Sequence, residues 1–531
     1  MSGSSITPRW LLATVLASGV TLGNTAAAHA APEGASATEG AAVLAAIESS
    51  LVDLIDRCER SVVSITRYSE PPELAGAAIS RGGNQILAPG PGQPRIFIGG
   101  RQMLPAGLGN LQQVPEPTPL ASGAGVVIDS AGLVLTQFGV VQQDATHVVT
   151  DVDGNRYLAD LRAADARSGL AVLAISKRLA PEPGDKSEPI QLPALPIGEA
   201  ETLRKGRLVV SIGNPFAIES DGQPTASWGS ITNTAAKLPP NEPLTDLEVS
   251  DGRFRETLHR FGSLIQTDAR LGWNASGGAL VMINGDLVGI TTTASTIAGH
   301  EQPAGYAIPL NAAMRRAVEA LSAGREPEYG LLGVSFNRGV SRNPKTGRVG
   351  IGVSEAYQGC PAQVAGLQTG DLLLSIAGAL VRSPEALQLL VGSLPPGDKV
   401  EVSFERAGDV NQTTVVLGKA YVEGGDQIVS APRRLWRGLE VDFATAVPGT
   451  VLMEKAREGA IDEEGCVVVI GVEEGSVSWE SGVRPYSYIS HVSGRRVSSP
   501  DEFYDAVRDA KDNVKLKFTK PLSATPQAAL N

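Results

Sequence analysis

Aromatic residues make up only 5% of the 531-residue chain, and cysteine occurs three times. Histidine occurs five times, and no block of lysines and arginines offsets a formal net charge of −12. Each shortage excludes something. Without a basic stripe the chain does not present a nucleic-acid surface. Cys58, Cys360 and Cys466 form neither a CxxC nor a Cys/His spacing, so no metal site is expected, and no cofactor. They read as separate buried thiols, although one disulfide pair stays open as an alternative in an oxidising compartment. Long apolar runs are also missing beyond the N-terminus, so no integral membrane segment is expected after it.

In their place stand 60 glycines and 35 prolines, which favour short strands and frequent turns over long helices. The length exceeds one hydrophobic core and points to three or four units, at roughly 100–200 residues each. Residues 1–31 carry Arg9, then an apolar run from Trp10 to about Leu22, then Ala28-His29-Ala30. That order reads as a secretory signal with a small-residue cleavage site, and predicts a periplasmic or secreted protein. An uncleaved N-terminal anchor is the alternative.

Residues 40–60 place Leu44, Ile47, Leu51, Leu54 and Ile55 on one helical face. A strand at Ser61–Ile65 follows, and residues 70–120, with their PGPGQP run, read as a long surface loop. Short apolar strands then recur in two groups, 122–175 and about 190–310, which predicts two packed β-barrels over 122–310 rather than a βαβ sheet. A helix at Asn311–Leu321 closes this region. Residues 328–420 and 431–520 form an internal repeat, each with a Gly-hydrophobic opening, a Gly-rich middle and one amphipathic helix, joined by a linker at 421–430.

Several stretches resemble the HtrA/Deg serine proteases. Ile265-Gln266-Thr267-Asp268-Ala269, with Asn274-Ala275-Ser276-Gly277-Gly278-Ala279-Leu280-Val281, resembles that family's nucleophile loop, close to IQTDAxxxxGNSGGPLV. Ser122–Thr136 resembles the stretch leading to the family histidine, as do Gly213-Asn214-Pro215-Phe216 and Gly229-Ser230-Ile231 strands of the second barrel. The resemblance spans about residues 45–520, weakest in the 70–120 loop. It implies a mainly β fold, a trypsin-like double barrel (40–320) followed by two PDZ-like α+β domains (328–420 and 431–520).

It also puts Ser276 at the nucleophile position and reveals two departures. Where the family has a motif like NNHVV, this chain reads Gln137-Phe138-Gly139-Val140-Val141, which leaves Gly139 at the histidine position. Where the family has DxRSDLAVL, Asp165-Ala166-Arg167-Ser168-Gly169-Leu170-Ala171-Val172-Leu173 puts Gly169 at the orienting aspartate. The oxyanion donors would come from Asn274 and Ser276, and Asn274-Ala275 replaces the family's Gly-Asn. A serine hydroxyl stays protonated at neutral pH, so without a base Ser276 is a weak nucleophile. Of His147, His259, His300 and His491, His259 is nearest in sequence, and it reads as a solvent-exposed loop histidine.

PDZ domains bind extended C-termini by strand addition, with the carboxylate held on a Gly-hydrophobic loop. Gly330-Leu331-Leu332-Gly333-Val334, with a helix at about Pro384–Val391, resembles that loop in the first unit. Gly438-Leu439-Glu440-Val441, with a helix at about Pro500–Val507, takes the same place in the second. The expected function is a proteolytically impaired envelope protein that binds unfolded proteins or peptide C-termini in a chaperone, quality-control or scaffold role. A serine endopeptidase using Ser276 with an unconventional base is one alternative, and a structural oligomer component is another. The resemblance implies a homotrimer.

Overall fold

A computed structural model describes residues 37–69, 96–98, 101–103, 120–179, 190–214, 224–237, 257–271, 275–292, 305–423, 427–510 and 514–521. The signal segment, His300 and most of the 70–120 loop lie outside the described residues. Among the described residues, no helix is long and apolar enough to cross a membrane.

The described residues open on a helix, Ala37–Glu59, longer than the amphipathic segment read at 40–60. Its apolar face is not buried throughout: Leu44 is 68% exposed, whereas Leu54 is fully buried.

Two closed antiparallel barrels follow. The first runs Val62–Tyr68, Ala121–Asp129, Leu133–Gln137, Leu170–Leu179, Arg156–Asp165, Thr146–Thr150 and back to the start. The barrel therefore begins at Val62 and not at 122, because Val62–Tyr68 supplies the strand between Ala121–Asp129 and Thr146–Thr150. Alternating aliphatic residues supply the interior: Val63, Ile65, Val127, Val134, Val149 and Leu173 point into one core. The second barrel closes in the order Leu208–Gly213, Thr225–Ala236, Leu264–Thr267, Gly305–Pro309, Leu287–Thr292 and Ala279–Met282. Its core is built on Val209, Ile231, Ile265, Leu280 and Val288.

The helix read at Asn311–Leu321 is present as Ala312–Ser322, with the Asn311 side chain accepting from the Met314 N–H at 3.1 Å. Beyond it lie two α+β units. In the first, the sheet runs Val334–Phe336, Val349–Ala356, Leu372–Ile376, Lys399–Arg406 and Asp409–Val416. Its helix Pro384–Gly392 is set by Ser383, which caps it at 3.1 Å, and by proline at the first turn. The same Ser-Pro device, at Ser499-Pro500, starts the helix Pro500–Asp509 of the second unit. Each unit holds more than the one helix the repeat suggested. Pro361–Val364 is added in the first, and Gly449–Arg457 and Val477–Glu480 in the second.

The linker expected at 421–430 is not a free connection. Gln427–Val429 pairs with Ala163–Asp165 on the first barrel, extending the sheet just where Thr146–Thr150 stops. A long strand left with an open edge accepts a further ladder, and this segment supplies it. The three cysteines are buried and free, as read from sequence, although Cys360 and Cys466 share one apolar cluster between the two α+β units.

Candidate functional site at the seam of the two barrels

Ser276 sits where the barrels meet and is 7% exposed. Its carbonyl accepts from the Ala124 N–H at 2.8 Å, which ties the second barrel's serine loop to a first-barrel strand. The two following glycines are required by space. Gly277 has φ +90°, and a Cβ there would lie 2.1 Å from the Ala124 carbonyl oxygen and 2.2 Å from Thr136 Oγ1. A Cβ on Gly278 would meet the Ile212 carbonyl oxygen at 2.5 Å. Thr291 Oγ1 donates to the Ala275 carbonyl at 2.6 Å, and the Gly277 N–H donates to the Thr291 carbonyl at 2.8 Å. The Ser-Gly-Gly turn is thus held by main-chain bonds from both barrels. Asn274 lies outside the described residues.

Gly139 is the middle residue of a 3-10 turn, Phe138–Val140, whose flanking side chains are buried in the first-barrel core. The Gln137 side chain accepts from the Gly139 N–H at 2.8 Å. Gly169 is buried, with φ +70°. The Phe138 N–H donates to the Gly169 carbonyl at 2.8 Å, so the two glycine positions are adjacent. Gly123 joins this corner to the serine loop: a Cβ there would meet Val140 Cγ2 at 2.7 Å and the Ser276 carbonyl oxygen at 3.1 Å. The fold therefore gathers Gly139, Gly169 and the Ser276 loop into one corner, with hydrogen in place of two side chains.

The expectation of an exposed His259 is corrected. His259 is fully buried, and both ring nitrogens are engaged. Nε2 donates to the Ser168 carbonyl at 2.7 Å, which leaves Nδ1 to accept from Ser263 Oγ at 2.7 Å. Burial lowers its pKa to about 4, with the Ser168 bond opposing. His147 is also buried, accepts from the Gln142 N–H at 3.3 Å on Nε2, and is lowered to about 4 by burial and then by Arg67. His491 lies in the second α+β unit and pairs with Ser490. The bonds of His147, His259 and His491 run to Gln142, to Ser168 and Ser263, and to Ser490.

A group missed from sequence stands beside Gly169. Asp165 is buried and accepts from the Ser168 N–H at 2.7 Å, the Tyr329 hydroxyl at 2.5 Å and Gln427 Nε2 at 2.9 Å. Burial raises its pKa, and the three hydrogen-bonding partners pull the other way. Ser168 is a local partner, but Tyr329 and Gln427 lie 164 and 262 positions away, so the sequence does not mark this wider network. Among the described residues no group of His, Cys, Asp and Glu could hold a metal ion.

In the first α+β unit, Gly330-Leu331 pairs with Gly418-Lys419, and Val334–Phe336 forms the edge of its sheet. Gly333 has φ +72° and faces Cys360, whose Cβ would lie 2.4 Å from an added one. In the second unit, Gly438 has φ +78°, and Leu439–Phe443 forms the corresponding edge.

Residues 123–290 match the trypsin-like peptidase domain, and residues 352–406 match the PDZ domain. The probable periplasmic serine endoprotease DegP-like of Chlamydia trachomatis serovar D is 28% identical over 414 residues, covering 77% of this chain and 74% of that protein. The periplasmic serine endoprotease DegP of Escherichia coli K12 is 30% identical over 293 residues, covering 54% and 55%. A solved structure, the HtrA-type protease AlgW with decapeptide, aligns at TM-score 0.44 and 24% identity over 69% of this chain and 98% of that one. With its double barrel, its Ser-Gly-Gly loop at the seam and its PDZ domains, the chain belongs to the HtrA/Deg family of serine endoproteases.

Proposed function

We propose that this protein is a proteolytically impaired member of its family, which holds exposed or unfolded chain termini through PDZ binding in a chaperone, quality-control or scaffold role. The curated relatives are named as periplasmic, and the periplasm is its compartment. One observation carries the reading: Gly139 and Gly169 stand at the positions where the family resemblance calls for a base and its orienter, and His147 and His259 are bonded elsewhere. General-base assistance is worth about 10²–10⁴-fold in rate, and glycine supplies none of it. Peptide capture falls to the first PDZ unit, where Gly330–Val334 leads into an edge strand able to take an added one. By family resemblance the protein works as a homotrimer.

The test is hydrolysis of unfolded casein by the purified mature chain. Turnover at background, unchanged by Ser276→Ala, is expected. Ser276-dependent cleavage overturns the reading and favours a working endopeptidase with an unconventional base. Calorimetry supplies the second arm: a peptide with a free apolar C-terminus should bind, and its amidated form should bind more weakly. Equal affinities would leave a structural component instead.

A further inference from the structure

The second PDZ unit offers an edge strand, Leu439–Phe443, beside the helix Pro500–Asp509, the layout into which a C-terminal peptide would add as a strand. Alternate N–H groups of an edge strand point away from its sheet. Here the alternate set is Leu439, Val441 and Phe443, and all three already have partners within the chain. The Leu439 N–H donates to the Trp436 carbonyl at 2.9 Å, in a turn that the Trp436 N–H returns to the Leu439 carbonyl. The Val441 N–H donates to the Tyr504 hydroxyl at 3.3 Å. The Phe443 N–H donates to Asp442 Oδ1 at 2.8 Å.

Tyr504 belongs to the helix that would form the far wall of the slot. Its hydroxyl accepts from Val441 and donates to the Arg434 carbonyl, so it bridges the edge strand to the segment leading into the loop. That segment is fixed from the helix side. The Arg434 guanidinium lies 4.3 Å from the Tyr504 ring centre and 2.5 Å from Asp501 Oδ1. Trp436 meets Phe503 edge to face, with ring centres 6.1 Å apart. The loop itself has no slack: a Cβ on Gly438 would lie 2.3 Å from that of Ser476.

Glu440, between Leu439 and Val441 on the edge strand, lies 4.0 Å from the Arg433 guanidinium. In the first unit, by contrast, no side chain among the described residues accepts from the N–H of Val334 or Phe336.

We infer that the second PDZ slot is closed by the chain itself, with the Tyr504 hydroxyl and the Arg434–Trp436 main chain standing where a bound peptide strand would lie. Only the first unit is open to C-terminal peptides, and the second becomes available when the Arg434–Tyr504 pair is displaced. This inference goes beyond the proposed function and holds whether or not Ser276 has activity.

The test uses the full mature chain and a decapeptide ending in Leu-Val with a free carboxylate, carrying one benzophenone group, with the crosslinks mapped by mass spectrometry. Wild type is expected to be labelled in 330–394 and not in 434–443 or 500–509. The double variant Arg434→Ala/Tyr504→Ala is expected to gain labelling in both second-unit segments by about tenfold or more, the scale of one displaced hydrogen bond with its packing. Tyr504→Phe keeps the ring and guards against misfolding: its Val441 amide should exchange hydrogen about tenfold faster than in wild type. Labelling of 434–443 in wild type overturns the inference. So does a double variant that stays folded and gains no second-unit label, or a Tyr504→Phe amide that exchanges at the wild-type rate. Labelling of the first unit reports separately on the proposed function.

Discussion

The Phe138 amide donates to the Gly169 carbonyl over 2.8 Å, which holds the turn containing Gly139 against the one ending at Gly169. The corner that the resemblance assigns to a histidine and an aspartate is joined here through the main chain, with glycine at both positions. Restoring one alone supplies a base with no orienter, or an orienter with no base. Gly139→His and Gly169→Asp should therefore each leave casein hydrolysis at background, and only the double variant should move it. Ser276→Ala in that double variant should remove whatever turnover appears. Gly169→Asp should also lower the melting temperature, because φ +70° strains a residue with a Cβ by about 1 kcal/mol.

The buried histidines set an acid limit on stability. His259 and His147 are neutral in the folded protein, with pKa values lowered from 6.5 to about 4. The unfolded chain therefore binds more protons as pH falls. The stability this gives is complete above pH 6.5 and is lost as pH drops toward 4, by up to roughly 3 kcal/mol for each ring. Melting temperatures between pH 7 and pH 4.5 should fall steeply. His259→Gln, which can still donate to Ser168 and accept from Ser263, should flatten that fall, and an unchanged slope would remove His259 as its source.

Asp165 should anchor the PDZ units to the first barrel. Tyr329→Phe and Gln427→Ala each delete one donor to a buried carboxylate, a loss of about 1.5–3 kcal/mol. Hydrogen exchange should quicken at 427–430 and around 329 in both variants, ahead of any change in the barrel cores. Because the Asp165 pKa is raised, its ionisation disfavours the fold as pH climbs through the interval above 3.8. The stability of wild type relative to Asp165→Asn should therefore decline across that interval.

Lys419 makes a second anchor, between the two PDZ units. Its side chain is 9% exposed, and its ammonium group bonds Glu326 and lies 2.7 Å from Asp442 and 3.3 Å from Glu328. Lys419→Met leaves Asp442 buried without its cation and should cost about 3–5 kcal/mol. Adding Asp442→Leu should recover much of that loss in a thermal melt, whereas additive losses would show that the two residues act independently.

How far the sequence was legible follows the distance between partners. The helix at 311–321 was readable from its own period and its Asn311 cap, and the Ser-Pro starts of both PDZ helices lie within four residues of what they fix. The two barrels were readable as groups of short alternating strands, but the membership of Val62–Tyr68 was not, because its partner Ala121–Asp129 follows a stretch of more than fifty residues. His259 read as a loop residue because nothing in its own stretch reveals the carbonyl of Ser168, 91 positions away, that is placed against it.

By itself, then, the sequence determined the fold class and which residues stand at positions 139, 169 and 276. Strand periodicity, turn glycines and the identities Ser276, Gly139 and Gly169 are properties of short segments, and no packing can add a base to a glycine. Only the tertiary structure decided which groups are spent. Gln427 reaches Asp165 across 262 positions, and Tyr504 reaches the Arg434 carbonyl across 70. Such contacts are chosen by the geometry of already folded surfaces, where a buried donor or acceptor must find a partner whatever its place in the chain.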